Sequence, residues 1–344
     1  MNLGRLVAPL MFGALLLFPS CGRGHSRVLE TDYVSAPQAF LRDRVAAVYN
    51  KTGTVKNGDR VDILERDRRF ARIRTANGTE GWIEQRYLVT QQVFDGFQKL
   101  AQQQQNNLGQ AMGVTRNDTN LHVEPGRDTE HLYLLSQGAK VSLLQRATAP
   151  KGLPGAAVSV ATGKGSAPAQ SAVPLEDWWL IRDANGRVGW MLGRLLDVDA
   201  PLDIAQYAEG QRIVAAMVLS EVQDDDKKVP QYLVMLTEPK DGMPFDYNQI
   251  RVFTWNVKRN RYETAYRERN LNGVLPVTVA NEDFGKEGTL PSFVLRVKDD
   301  SGNVTERKYK LNNPIVRRVL APGEQPAKTA PRKASRKAPR KKRH

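Results

Sequence analysis

The sequence predicts an all-β protein: two small barrels joined by a helix, then an antiparallel β-sandwich or barrel, then a disordered basic tail. Three observations carry this. Residues 34–66 recur without a gap at 114–146, and residues 70–88 recur at 178–196 with nine identities in 19 positions. Inside each copy, short runs that alternate apolar and polar residues are broken by Gly, Asn and Asp, as in half-buried strands joined by turns. From residue 203 onward seven or so further short runs follow, with no helical periodicity between them.

Residues 1–20 read as an export signal. Arg5 precedes an apolar stretch of 13 residues, Leu6–Phe18, too short to span a bilayer comfortably, and small residues close it. Cys21 follows, the only cysteine among 344 residues. A cysteine in that place resembles the lipobox of bacterial lipoproteins, whose thiol is acylated and becomes the new N-terminus. Ser20 matches the small residue before it; Phe18 stands where that family usually has Leu, and Pro19 is unusual there. The resemblance implies lipidation at Cys21 and a linker over 21–30. It also implies an exported protein held at the cell envelope, facing the periplasm of a diderm bacterium.

The same count narrows the chemistry. With Cys21 acylated, no thiol is left for a disulfide, a thiolate metal site or a Cys-His hydrolase. His25, His122, His131 and His344 form neither HExxH nor HxH spacing, so a zinc hydrolase has no support. The run ATGKGS fails as a phosphate loop: Val158 stands at its first glycine and Gly165 replaces the Ser or Thr after the lysine. No catalytic residue, metal site or cofactor is expected.

The repeat defines the barrels. GDRVDILER and GAKVSLLQR each follow a glycine turn, and ARIRTANGTEGWIE reads as a hairpin closed at Ala-Asn-Gly, where Asn and Gly tolerate positive φ. About 60 residues with five short strands suffice for a small closed sheet. The order of strand, long loop, GDRVDIL, aromatic, NG, GW and closing YL resembles the bacterial SH3 (SH3b) domain, present twice, over 31–90 and 113–198. That resemblance implies binding, commonly of cell-wall peptides or peptidoglycan. Ala147–Asp177 stands opposite three residues of the first copy, is rich in Ala, Gly and Pro, and is expected to be a removable surface loop, 147–177. Trp82 and Trp190 are expected to be largely buried. Neighbours on a strand point to opposite faces, so only one of Trp178 and Trp179 can face the core. The other must be exposed or covered by the inserted loop, and whichever is exposed, with Tyr133 or Leu196 nearby, is the expected ligand contact.

Between the copies, residues 91–112 predict an amphipathic connecting helix, with Val93, Phe97 and Leu100 in one row and Phe94, Ala101 and Leu108 alongside. In the β domain over 203–320, Asp224–Asp226 reads as a solvated turn, and Phe253, Trp255, Tyr262 and Tyr266 as core or cross-strand pairs. The tail, 321–344, holds nine Lys or Arg against Glu324, a net +8 of the formal +14. Pro and Ala interleaved with like charges bury no core, so it is expected to be disordered and to attract polyanions without reading their sequence.

Two functions of different class follow. The first is a non-enzymatic, envelope-anchored binding protein that recognises peptidoglycan, another anionic envelope polymer or a partner protein, with no specific nucleic acid. The alternative is a cell-wall hydrolase or its regulator with a carboxylate site in the C-terminal domain; Glu263 with Glu268, or Asp299 with Asp300, are the acids available.

Overall fold

The computed structural model describes residues 27–152 and 173–320. The export segment with Cys21, residues 153–172 and the basic tail from 321 lie outside the described residues. Strands dominate, as the alternating runs predict, and they form three seven-stranded antiparallel sheets.

The first sheet comprises β1 (Glu30–Val34), β2 (Gln38–Arg42), β3 (Lys51–Lys56), β4 (Arg60–Asp67), β5 (Phe70–Thr75), β6 (Glu80–Glu84) and β7 (Leu88–Thr90), in the order β3-β2-β6-β5-β4-β1-β7. It curls around one core. Val34, Leu41, Val55, Val61, Ile63, Ala71, Ile73 and Ile83 are all fully buried there, and alternation sends their neighbours outward. The β5–β6 turn closes at Gly78 with φ 84°, while Thr75 Oγ1 and Asn77 Oδ1 accept from the Thr79 amide.

A helix follows, α1 (Gln91–Gln103). It is shorter than the 91–112 expected, and Leu108, placed beyond its end, is exposed. The second sheet then begins two residues earlier than predicted: β8 (Ala111–Thr115), β9 (Thr119–His122), β10 (His131–Leu135), β11 (Lys140–Pro150), β12 (Leu175–Asp183), β13 (Val188–Leu192) and β14 (Leu196–Val198). Its order, β10-β9-β13-β12-β11-β8-β14, repeats that of the first sheet strand for strand. The shared Gly-Trp pair has a steric cause. A Cβ on Gly81 would come within 2.8 Å of Leu41 Cβ, and one on Gly189 within 2.9 Å of Leu121 Cβ, so only glycine lets these strands cross.

The insertion departs from expectation. β11 and β12 remain paired as far as Pro150 and Leu175, so both ends of the predicted loop 147–177 are strand. Local alternation does not account for this extension; buried charge does. Glu176 accepts two bonds from Arg127, at 2.7 and 2.5 Å, and Asp177 is sequestered beside the third sheet.

After α2 (Leu202–Ala205), that third sheet runs through β15 (Arg212–Asp224), β16 (Lys227–Thr237), β17 (Tyr247–Asn256), β18 (Arg261–Asp283), β19 (Thr289–Lys298), β20 (Val304–Asn312) and β21 (Ile315–Val319). Each strand pairs with its sequence neighbours, so the runs expected in a sandwich or barrel lie in one bent meander. The bend falls on β18. Its first half pairs with β17 and its second with β19, and Gly273 serves both ladders because the Tyr247 ring fills the space a Cβ would need.

The second and third sheets share a core. Trp179, Ile181, Met191 and Leu196 belong to the same buried cluster as Val214, Leu233, Ile250 and Phe293. At its edge the Asp177 carboxylate accepts from Arg146 (2.6 Å), Arg212 (3.1 Å) and the Gly242 amide (2.9 Å). Arg146 also donates to the Phe245 carbonyl (2.9 Å) and to Asp246 (3.2 Å). Removing one partner of a buried ion pair strands the other. Asp177→Ala is therefore expected to lower the free energy of unfolding in urea by about 3–5 kcal/mol; a loss below about 1 kcal/mol would show that the junction is not held by this carboxylate.

Candidate functional site

The equivalent outer faces of the two barrels differ in what covers them. In the first, β5 and β6 point Phe70, Arg72, Trp82 and Glu84 away from the core, with Phe70 opposite Glu84 and Arg72 opposite Trp82. In the second, the same ladder pairs Trp178 with Leu192 and Leu180 with Trp190. Charge in one copy has become apolar surface in the other.

In the second barrel this face is closed. Trp178, Leu180, Trp190 and Leu192 are buried together, with Leu100 and Ala101 of α1 packed on them. Arg182 fixes the lid by donating to the carbonyls of Gln104 and Asn107, at 2.9 Å for the latter, just past the helix end where carbonyls lack intrahelical partners. The helix is pinned from the other side as well. Phe94 stacks on Tyr33 of β1 at 4.1 Å, and Phe97 meets Tyr133 of β10 edge-on at 5.0 Å.

The predicted ligand contacts are accordingly corrected. Trp178, Trp179 and Tyr133 are 2%, 7% and 7% exposed and offer a ligand almost no surface. The two tryptophans do point to opposite faces, as a strand requires, but α1 covers one face and the third sheet the other. Tyr133 lies in the seam between the barrels, under the Arg187 guanidinium at 4.8 Å. There Asn57 of the first barrel donates to the Leu132 carbonyl (2.6 Å) and accepts from the Leu134 amide (2.9 Å), pairing with β10 as a strand would. Trp82 departs in the other direction: it is only half-buried, whereas Trp190 is buried.

The first barrel's face is open, and it forms the candidate site. Arg42 lies between two rings, 4.2 Å from the Tyr49 centroid and 5.1 Å from that of Phe70, and Glu84 ties it down at 3.2 Å. Lys51 sits over Phe40 at 3.9 Å. Phe40 is 50% exposed, and Val45, Val48 and Tyr49 on the β2–β3 loop are exposed with it. Four large apolar side chains bared within ten residues form a patch of the kind that marks an interaction surface. Rings and guanidinium groups side by side suit a ligand with both apolar and anionic parts. Sequence reasoning missed this face, although the repeat held the signal. The charges at Arg72 and Glu84 meet apolar residues at Leu180 and Leu192.

His122 takes the place of Arg42 in the closed barrel. Its Nδ1 lies 3.0 Å from Thr129 Oγ1, and its ring meets Trp178 edge-on at 5.1 Å. Three of the four acids named as hydrolytic pairs are occupied. Glu263 accepts from Asn256, Arg259 and Arg261, which hold its carboxyl below the usual range, and Glu268 accepts from Tyr309 (2.7 Å), Tyr266 (2.9 Å) and Arg307 (3.1 Å). Asp299 caps its own turn, accepting from the Ser301 and Asn303 amides. Among the described residues no group of three or more His, Cys, Asp or Glu is placed to hold a metal ion.

Residues 38–89 match the bacterial SH3 domain, so one such domain is found, and it is the barrel with the open face. No curated protein matches the chain. Among solved structures, an NlpC/P60 family protein from Bacillus cereus ATCC 10987 aligns with 9% identity over 52% of this chain and 63% of its own, with a TM-score of 0.23. NlpC2 from Trichomonas vaginalis aligns with 11% identity over 72% of this chain and 98% of its own, with a TM-score of 0.17. The chain thus spans less than two thirds of the first of these relatives.

Burial, and then the charge of His131, hold the His122 imidazole below its ordinary value of 6.5. As pH falls through that value the unfolded chain takes up the proton first, so stability is full above it and drains below. The urea midpoint of the wild type is expected to fall from pH 7.5 to pH 5.5, and that of His122→Gln to fall less. Equal decline in both would remove His122 as the cause.

Proposed function

We propose that the protein is a non-enzymatic, envelope-anchored binding protein that takes cell-wall material through the open face of its first barrel. One observation carries the reading: the segment that matches the bacterial SH3 domain bears exposed Phe40 and Tyr49 beside half-buried Arg42, Phe70 and Trp82. Bacterial SH3 domains commonly bind peptidoglycan or its peptides. Stem peptides combine carboxylates with apolar side chains, which suits arginines set among rings. The second barrel is a further copy of the same domain whose equivalent face has been given over to α1; its identical strand order supports this.

In this reading Cys21 carries the lipid, residues 1–20 are removed, and the basic tail adds unspecific attraction to anionic envelope polymer. Labelling with a fatty-acid analogue is expected in the wild type and absent in Cys21→Ser; equal labelling of both would refute the anchor.

Pull-down on purified peptidoglycan tests the face itself. Tyr49→Ala and Trp82→Ala are expected to weaken binding about tenfold each, the scale of a well-placed aromatic contact, while the thermal midpoint moves little. Trp190→Ala opens the interior instead, and is expected to cost about 3–5 kcal/mol of stability. Unchanged binding in both first-barrel variants would overturn the proposal.

A further inference from the structure

The outer face of the third sheet buries a cation. Arg251, in the middle of β17, is 1% exposed, and burying a guanidinium is costly unless each of its donors is met. Its Nη1 donates to the Tyr207 carbonyl and its Nη2 to Glu209, both at 2.5 Å, but its Nε has no acceptor. Two residues earlier on the same face stands Gln249, also buried. Its Oε1 accepts from Arg269 Nε at 3.0 Å, and its Nε2 has no acceptor. Two buried donors therefore stand side by side unmet.

More positive charge gathers on them. Across the β17–β18 ladder Arg251 faces Arg267, and Gln249 faces Arg269. Arg267 donates to Glu209 Oε1 at 3.0 Å, and Arg269 lies 4.0 Å from its Oε2. Three arginines thus converge on one carboxylate, whose side chain is 53% exposed. Arg251 and then Arg267 hold that carboxyl down to about 2. Glu209 reaches them from a left-handed backbone, φ 54° and ψ 42°, a conformation that a residue with a Cβ seldom takes. A polar cleft of about 300 Å³ opens beside it, lined also by Gln211, Glu238, Asn248 and Asn270. That volume is at the small end of the range for ligand pockets.

The arrangement is unlike a structural ion pair. Here the cation is sealed in the sheet while the acid that neutralises it stays at the surface, on strained backbone, where another anion can replace it. We infer that this cleft binds a small oxyanion-bearing ligand, a carboxylate or a phosphate, and that the Glu209 carboxylate is the resident group such an oxyanion displaces. Arg267 and Arg269 supply the free edge of the site, and Arg251 with Gln249 its floor.

The test is titration of the full-length protein with inorganic phosphate and, separately, with succinate, against sodium chloride at matched ionic strength. Arginine Nε–H resonances provide the readout. Saturable shifts with either anion, absent with chloride, are expected, and the tighter of the two identifies the oxyanion. Arg269→Ala, a largely exposed side chain, should weaken binding about tenfold, the scale of a charge-assisted hydrogen bond. Glu209→Gln removes the competing charge and should tighten binding a few-fold. No saturable shift in the wild type, or equal affinity in wild type and Arg269→Ala, would overturn the site. Should Glu209→Gln fail to fold, the wild-type and Arg269→Ala titrations decide alone.

Discussion

The ladder between β12 and β13 is covered on both faces, and the rest of the molecule is arranged around that constraint. One face carries Trp179, Ile181 and Met191 into a core shared with the third sheet; the other carries Trp178, Leu180, Trp190 and Leu192 under α1. A two-sided strand must be continuously apolar, and residues 188–192 are buried without interruption. Because the second barrel is used as a scaffold on both sides, its outer face has no surface left for a ligand. The first barrel meets α1 through Tyr33 and the second barrel through Asn57, both away from its Arg42 face. The second barrel is covered on both sides, and the first keeps its Arg42 face uncovered.

Buried charge gives this packing its register. Apolar cores tolerate sliding, whereas a sequestered carboxylate accepts few partners and only at fixed positions. Asp177 ties three segments together: Arg146 in β11, Arg212 at the start of β15 and the Gly242 amide before β17. Arg251 plays a related part on the far side of the sheet, but its countercharge is exposed. The two sites therefore separate by function. One is closed and holds a junction; the other is accessible from outside.

Much of the fold was legible because strands declare themselves locally. Period-2 alternation located the strands of both barrels, the shared Asn-Gly turns located their hairpins, and the shifts of 80 and 108 residues anticipated the shared strand order of the first two sheets. What was not legible depended on distant residues. The adjacent pair Trp178-Trp179 implies opposite faces, but its covers come from Leu100, far upstream, and from the sheet beyond residue 212. The strand ends at Thr148–Pro150 and Leu175–Asp177 look like loop because their anchors, Arg127 and Arg212, are remote in sequence. The open face of the first barrel was readable in principle. It needed the two copies compared position by position for charge as well as for identity, which sets Arg72 against Leu180 and Glu84 against Leu192.

Phe40 and Asn120 are equivalent positions of the two barrels, and a photoreactive residue placed at each asks directly whether the first barrel's face, and not the second's, meets cell-wall material. The protein is exposed to soluble muropeptides, irradiated, and the cross-linked fragments are counted by mass spectrometry. The account predicts adducts from position 40 and none above background from position 120. Adducts from position 120 alone, or equal yields from both, would contradict it.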